Sequence, residues 1–311
     1  KRPEPSGKPA IALIYAEGTI TDGEGGEGLL GGSSVGSAGM RRALRAAAKD
    51  DNVKAVVIRI DSPGGSALAS EVMWQAARHV AEKKPVIVSI GSMAASGGYY
   101  LASAGDHIFA DPSAIVGSIG VVGGKFVLKD LYDKIGLTTE TFYRGKNADL
   151  FSDSKPFDDR QRRLITNWMR NTYEQFTSRV MHTRKDKIKD IDQVARGRIF
   201  LARQAKELGM VDEIGGIEAA LTHAAGKASL QKGGYDVQVL PAPRTLGDML
   251  LGTAMSQAEL PFNATVKIGE DSILRTLSPR ARQSIGQQLD FLQLLQDRPV
   301  VLVTPYVLTV R

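Results

Sequence analysis

VKAVVIRIDSPGGSALASEVMWQAARHVAEKKPVIVSIGSMAASGGYYLASA, residues Val53–Ala104, decides the fold class. It opens on a β-branched run, Val53–Ile60, that reads as a buried strand broken by Asp61-Ser62-Pro63-Gly64-Gly65. Ser66 then precedes a helix. The amphipathic helix behind it runs to about Lys83, with Leu68, Val72, Ala76 and Val80 on one stripe. A second strand, Pro85–Ile90, leads into Ala95-Ser96-Gly97-Gly98 and a helix over Ser96–Ala104; His107–Ala110 is a third short strand. Strand, helix and strand alternating at these lengths predict an α/β chain of repeated ββα/βαβ units with a largely parallel sheet.

Upstream, Ala10–Ala16 (AIALIYA) is another buried strand. Gly23–Gly39, rich in glycine and serine, reads as a mobile loop or lid before a helix over Met40–Lys49. Downstream, Val127–Ile135 reads as a helix and Thr138–Tyr143 as a strand. Asp158 and Gln161 form a capping-box pattern opening a long helix, whose stripe of Leu164, Ile165, Trp168, Tyr173, Phe176 and Val180 reads as core. Beyond a helix ending near Ala225 the patterning weakens, until Pro279–Gln296 is again helical and apolar Val300–Val310 follows. The expected division is a linker over 1–8, one domain over 9–227, and an accessory segment over 228–311 for assembly or membrane-side contact.

The 311 residues are 42% hydrophobic and 24% charged, the balance of a soluble globular protein, with a net charge of +6. No apolar run approaches the ~18 residues of a membrane-spanning helix, and Lys1–Pro5 carry no signal-peptide core. The chain reads as a soluble piece of something longer. Basic residues are not interleaved with aromatics, which argues against nucleic acid as a partner. Cysteine is absent, so thiol chemistry and cysteine metal sites are excluded. No metal, nucleotide or organic cofactor is expected; Gly124-Lys125 ends no P-loop, because Ile119 and Phe126 stand where that motif needs glycine and Ser or Thr.

Two strand-to-helix turns carry the chemistry. Adjacent Gly64 and Gly65 allow positive φ and bring backbone amides up to a ligand without an intervening side chain, a way to stabilise an oxyanion. Ser96, among small neighbours at a helix start, has an accessible hydroxyl in a field that favours negative charge. Such turns lie at the carboxyl edge of a parallel sheet, where active sites collect. A serine nucleophile needs a base, and none of His79, His107, His182 and His223 sits in a loop able to reach it; His107 reads as a partly buried structural residue. A lysine whose basicity is reduced by burial is the main alternative.

Asp61–Gly65, Met93–Tyr99, Gly117-Ser118-Ile119-Gly120, Gly197–Phe200 with Gln204-Ala205-Lys206, Gly209–Asp212 and Gly215 closely resemble the signal peptide peptidase A (protease IV) family, peptidase family S49. The resemblance covers about residues 9–225. It implies a crotonase/ClpP-like fold, serine endopeptidase activity on residual signal peptides, and a Ser/Lys dyad. By the family pattern Ser96 is the nucleophile, the Gly97 amide and one from Gly64 or Gly65 form the oxyanion hole, and Ser118 orients the lysine amine. The resemblance also implies a bacterial envelope location on the periplasmic face of the inner membrane, an anchor outside this chain, and homotetrameric rings or domes.

One departure stands out. Family members with a complete site in one repeat place the lysine three residues after a glycine; here Gly145-Lys146-Asn147-Ala148 puts alanine there. Longer members carry the serine in a second repeat and the lysine in a first, and this chain resembles the second. The base is therefore expected from an N-terminal repeat outside this sequence. Lys146 is the rival: in an extended stretch it would share a face with position 148, roughly 6.5 Å away. Two further readings keep the fold, an acyl-CoA hydratase or isomerase of crotonase type and a catalytically silent assembly half.

Overall fold

The computed structural model describes residues 7–27, 33–241 and 300–303. Its elements in chain order are β1 (Ala10–Glu17), β2 (Thr19–Thr21), β3 (Gly25–Glu27), β4 (Ser33–Gly36), α1 (Ser37–Lys49), β5 (Val53–Ser62), β6 (Gly64–Ser66), α2 (Ala67–Ala81), β7 (Val86–Ala95), α3 (Gly97–Ala102) and β8 (His107–Ala110). They continue with β9 (Ile115–Gly117), β10 (Val122–Gly123), α4 (Lys129–Lys134), α5 (Asp159–Arg184), α6 (Ile191–Val194), β11 (Ile199–Leu201), α7 (Ala202–Glu207), β12 (Glu213–Ile214), α8 (Ile217–Lys227), β13 (Asp236–Leu240) and β14 (Val300–Val303). The chain is mixed α/β with a largely parallel main sheet, as its strand–helix alternation predicts.

That sheet runs β11-β9-β7-β5-β1-β13, with β8 also on β7 and β12 on β8; only β11–β9 is antiparallel. Alternate residues of its strands enter two cores. Ala12, Ile14, Val56 and Ile58 pack with Leu44, Met73, Trp74 and Phe176, while Ile11, Leu13, Ala55 and Val57 pack with Ala220 and Ala224 of α8. Burial on both faces explains why the strands read as continuous apolar runs rather than alternating ones. A second, mixed sheet, β10-β14-β6-β2-β4-β3, crosses the carboxyl end of the first.

Several elements differ from their expected form. Pro63 interrupts pairing for one residue only: β5 extends to Ser62 and β6 resumes at Gly64. β7 runs to Ala95, five residues past Ile90, because it changes neighbour from β8 to β9 near Ser92 and so stays paired up to Ser96. Thr138–Tyr143 is not a strand: every residue in it is exposed and no neighbouring edge pairs with it. The buried stripe of α2 is Ala69, Met73, Ala77 and Val80, one residue on from the expected one, and Leu68 is 59% exposed. Within Gly23–Gly39, Gly25–Glu27 pairs antiparallel with Ser33–Gly36, an approach so close that a Cβ on Gly25 or Gly36 would collide with the opposite backbone.

The capping box of α5 forms as read: Asp158 accepts from the Gln161 amide, and Gln161 accepts from that of Asp158. Ile165, Phe176 and Val180 of its stripe are core, whereas Leu164 and Trp168 are exposed at 40% and 46%. The second half of α5 is fastened to α2 and α3. Tyr100 stacks on Phe176 at 4.6 Å, and Arg179 pairs with Glu71 at 2.6 Å while lying over the Trp74 ring. Near the end of α5 the fully buried Arg184 reaches Asp212, whose other carboxylate bonds go to Lys187 and the Ile108 amide. Burial opposes ionisation of Asp212, but Arg184 and Lys187 outweigh it and hold the carboxyl below the usual carboxylate range. The helix expected over Pro279–Gln296 and most of 242–311 lie outside the described residues. Asp236–Leu240 joins the main sheet parallel to β1, and Val300–Val303 joins the second sheet.

Candidate active site

β5 and β7 run parallel and end together, so the turns that follow them meet at the carboxyl edge. The meeting is close. A Cβ placed on Gly97 would lie 3.2 Å from the Gly64 Cα, 3.2 Å from the Gly65 nitrogen and 2.5 Å from Ser70 Oγ. On Gly98 it would lie 2.7 Å from the Ser62 carbonyl oxygen. Glycine is thus required at 97 and 98 for the head of α3 to seat against the other turn. Gly64 has φ +105°, a region natural to glycine.

Ser96 caps α3 from a backbone conformation of φ +51°, ψ −114°, sparsely populated for a residue with a Cβ. The conformation is held from both sides: the Ser96 amide donates to the Gly117 carbonyl at 2.8 Å, and the Ser96 carbonyl accepts from the Tyr100 amide at 2.8 Å. Strain retained by surrounding structure is a recurrent mark of functional positions. The Ser96 hydroxyl is buried, and its hydrogen bond among the described residues is a long one, 3.5 Å to the Gly120 carbonyl. The Gly97 amide lies in the first turn of α3, where no intrahelical acceptor exists. The Gly64 amide is engaged, donating to Ser62 Oγ at 3.1 Å.

Ser118 arrives by register. β9 pairs parallel with the end of β7, Ala95 opposite Gly117, so Ser96 and Ser118 are the next residues on adjacent chains. Ser118 is also buried at φ +51°, with its amide held by the Arg198 carbonyl at 2.6 Å. The structure thus brings Ser96, Gly97, Gly64, Gly65 and Ser118 to one place. It does not bring the rival lysine there. Gly145–Leu150 is a chain of tight turns rather than an extended stretch, so the shared face of positions 146 and 148 does not exist. Lys146 is exposed, and Arg160 holds its carbonyl. Among the described residues no hydrogen bond or ion pair joins a basic side chain to Ser96 or Ser118.

The histidines are occupied elsewhere. His107 pairs in register with Ile87, nine residues before Ser96, a span of roughly 30 Å in extended chain. It stacks on His223 at 4.1 Å, while His182 packs edge-on against Trp74. Sequence reading missed the occupant of β6: Val301–Val303 pair antiparallel with Gly64–Ser66, and the same strand reaches Val122–Gly123 of β10 on its far side. The continuous apolar Val-Val-Leu-Val run was the available signal, but the distant edge it joins left none.

Comparison with known proteins agrees with this geometry. The profile of peptidase family S49 matches residues 78–231. "Serine protease SPPA, chloroplastic" of Arabidopsis thaliana is 36% identical over 286 residues, 91% of this chain and 42% of that protein. "Protease 4" of Haemophilus influenzae is 38% identical over 222 residues, 69% of this chain and 34% of its own length. The chain therefore spans less than half of these two relatives. A shorter relative from Synechocystis, named as a protease, is 32% identical over 70% of this chain and 79% of its own length. With a relative of that identity covered over most of its length, the chain belongs to peptidase family S49.

Proposed function

We propose that this chain is the nucleophile-bearing unit of a serine endopeptidase that cleaves extended, apolar peptides such as residual signal peptides. In this reading Ser96 Oγ attacks the scissile carbonyl. The oxyanion is met by the Gly97 amide and by one from Gly64 or Gly65. Each such donor contributes about 3–4 kcal/mol to the transition state. A lysine amine takes the Ser96 proton and passes it to the leaving amine, and water then releases the acyl group from Ser96. Ser118 orients that amine. The lysine comes from another S49 unit, because Ala148 occupies the position where the family pattern carries it.

The observation that carries the reading is the strand beside the nucleophile. β6 begins in the oxyanion turn and already accepts an extended segment, Val301–Val303, in antiparallel register, with β10 as the second wall. A groove that pairs a peptide on both backbone edges, next to a serine at a helix head, suits cleavage of an unfolded chain. Support for a second unit comes from exposed apolar side chains around the Ala148 loop, including Ile135, Leu137, Phe142 (86% exposed), Phe151 and Trp168. Apolar exposure of this kind marks an interface. We take residues 9–227 as the peptidase unit, completed by Asp236–Leu240 beside β1 and Val300–Val303 beside β6, and a homotetramer at the periplasmic face of the inner membrane as the assembly. Among the described residues no helix is long and apolar enough to cross a membrane.

The test is peptide cleavage and fluorophosphonate labelling of this chain alone and with an upstream S49 unit supplied, each beside Ser96→Ala. Cleavage only with the added unit, and only with Ser96 intact, is expected. Cleavage by the chain alone that Lys146→Ala abolishes would refute the supplied lysine. Turnover of a CoA thioester by Ser96→Ala would refute the peptidase reading. Ser96 that stays unreactive with the second unit present would leave the chain as a silent assembly half.

A further inference from the structure

The opposite end of the main sheet holds a cluster that the peptidase chemistry does not use. His107 opens β8, Glu213 opens β12 on the neighbouring edge, and His223 projects from α8 against both. One ligand-type atom from each lies within 4.8 Å of the others. The Nε2 atoms of His107 and His223 are buried and make no hydrogen bond. Glu213 Oε1 is 3.1 Å from His107 Nε2, but off the line along which an imidazole N–H donates, so that contact is a proximity of charge and lone pair only. Two buried polar atoms without partners in one small cluster call for an explanation.

We propose that His107, Glu213 and His223 bind a divalent transition-metal ion of the zinc class, clamping β8, β12 and α8 together. Two imidazoles and a carboxylate form a donor set that zinc accepts with water in the fourth position. A cavity of about 430 Å³, lined in part by Pro85, Ile87, Asp106, His107 and Lys227, reaches the cluster at His107 and gives an ion a path to it. Beside the cluster, Asp212, next to Glu213 in the chain, is fixed by Arg184, Lys187 and the Ile108 amide, and Phe109 flanks both imidazoles. The imidazole planes are inclined by 28°. Capture of an ion between the two stacked rings requires one of them to turn, replacing the stacking contact by coordination.

The test uses chelator-treated full chain and cobalt(II) or zinc(II) chloride alone. Cobalt(II) should bind with one equivalent and a visible ligand-field absorption, and zinc(II) should displace it and raise the melting temperature. His223→Gln and His107→Asn, checked for native circular dichroism, should each weaken binding more than about 100-fold, beyond the 10–100-fold usual for an outer-shell partner. His79→Gln should change nothing. Absence of stoichiometric cobalt binding by the wild type overturns the proposal, as does binding that persists in folded His223→Gln. Labelling of Ser96 is a separate readout and is expected to be the same with and without metal.

Discussion

The two sides of the site are built in opposite ways. Ser96, Gly97, Gly64 and Ser118 sit on the ends of buried parallel strands, their backbones locked to one another and their positions fixed by glycines that no other residue could replace. The segment from Leu137 to Ala148, where the family pattern carries the base, is exposed throughout and bonded largely to itself and to Arg160. A nucleophile must be held to within a fraction of an ångström, and strand ends can do that. A base presented by an exposed segment acquires such precision only when another surface packs on it. Under the proposed function, the contrast divides the work: this chain holds the cradle for the acyl group, and another unit brings the group that moves the proton.

The largest effect that would break this contrast is at the rigid side. With the second S49 unit present, Ser96→Ala should lower kcat/KM for an apolar peptide by roughly 10⁴-fold or more, with the melting temperature little changed. On the exposed side, Ala148→Lys should let the chain cleave peptide and take up fluorophosphonate without the second unit, a gain of about 10²–10⁴ over background, the usual worth of a positioned base. No gain in a folded variant would mean that the Leu137–Ala148 segment does not face a serine in the assembly. Removing Val300–Val303 and the residues after it should speed Ser96 labelling by about tenfold by opening the groove; unchanged labelling would show that β14 does not cover the nucleophile.

Fastening of the scaffold should be felt in stability. Arg184→Ala leaves the Asp212 carboxylate buried without its main partner, and about 3–5 kcal/mol should be lost in denaturant unfolding. Arg179→Ala, at a half-buried pair that also covers Trp74, should cost less, about 1–2 kcal/mol. The smallest effect is in pH. Because the folded state holds Asp212 below its ordinary value, its contribution is fully present above about pH 4 and fades as pH falls through the lower folded value. Asp212→Asn should flatten that acid limb, and a limb as steep as in the wild type would assign it to other carboxylates.

Sequence reading reached the site because its determinants are local. A β-branched strand running into Ser-Pro-Gly-Gly, and another into Ala-Ser-Gly-Gly, state both the turn and the side of the sheet it lies on. What escaped is set by distant partners. Thr138–Tyr143 has strand composition but no edge to pair with, whereas Asp236–Leu240 is a strand because β1 offers one. On α2 the choice between Leu68 and Ala69 was decided by packing, the small residue entering the close contact and the large one left in solvent. The turn at Gly145–Leu150 likewise depends on Arg160 from the next helix. The cluster of His107, Glu213 and His223 spans 116 positions and three elements, and no local spacing announces it.

The pairing of β14 with β6 has a further consequence for the protein's solubility. A peptide groove made of two strand edges is, when vacant, an open invitation to any other extended chain, including the same groove on another copy. With β14 laid between β6 and β10, both edges are kept out of reach of other chains. Variants emptied of that strand should then be the ones that cluster on concentration, through the backbone edges it covers.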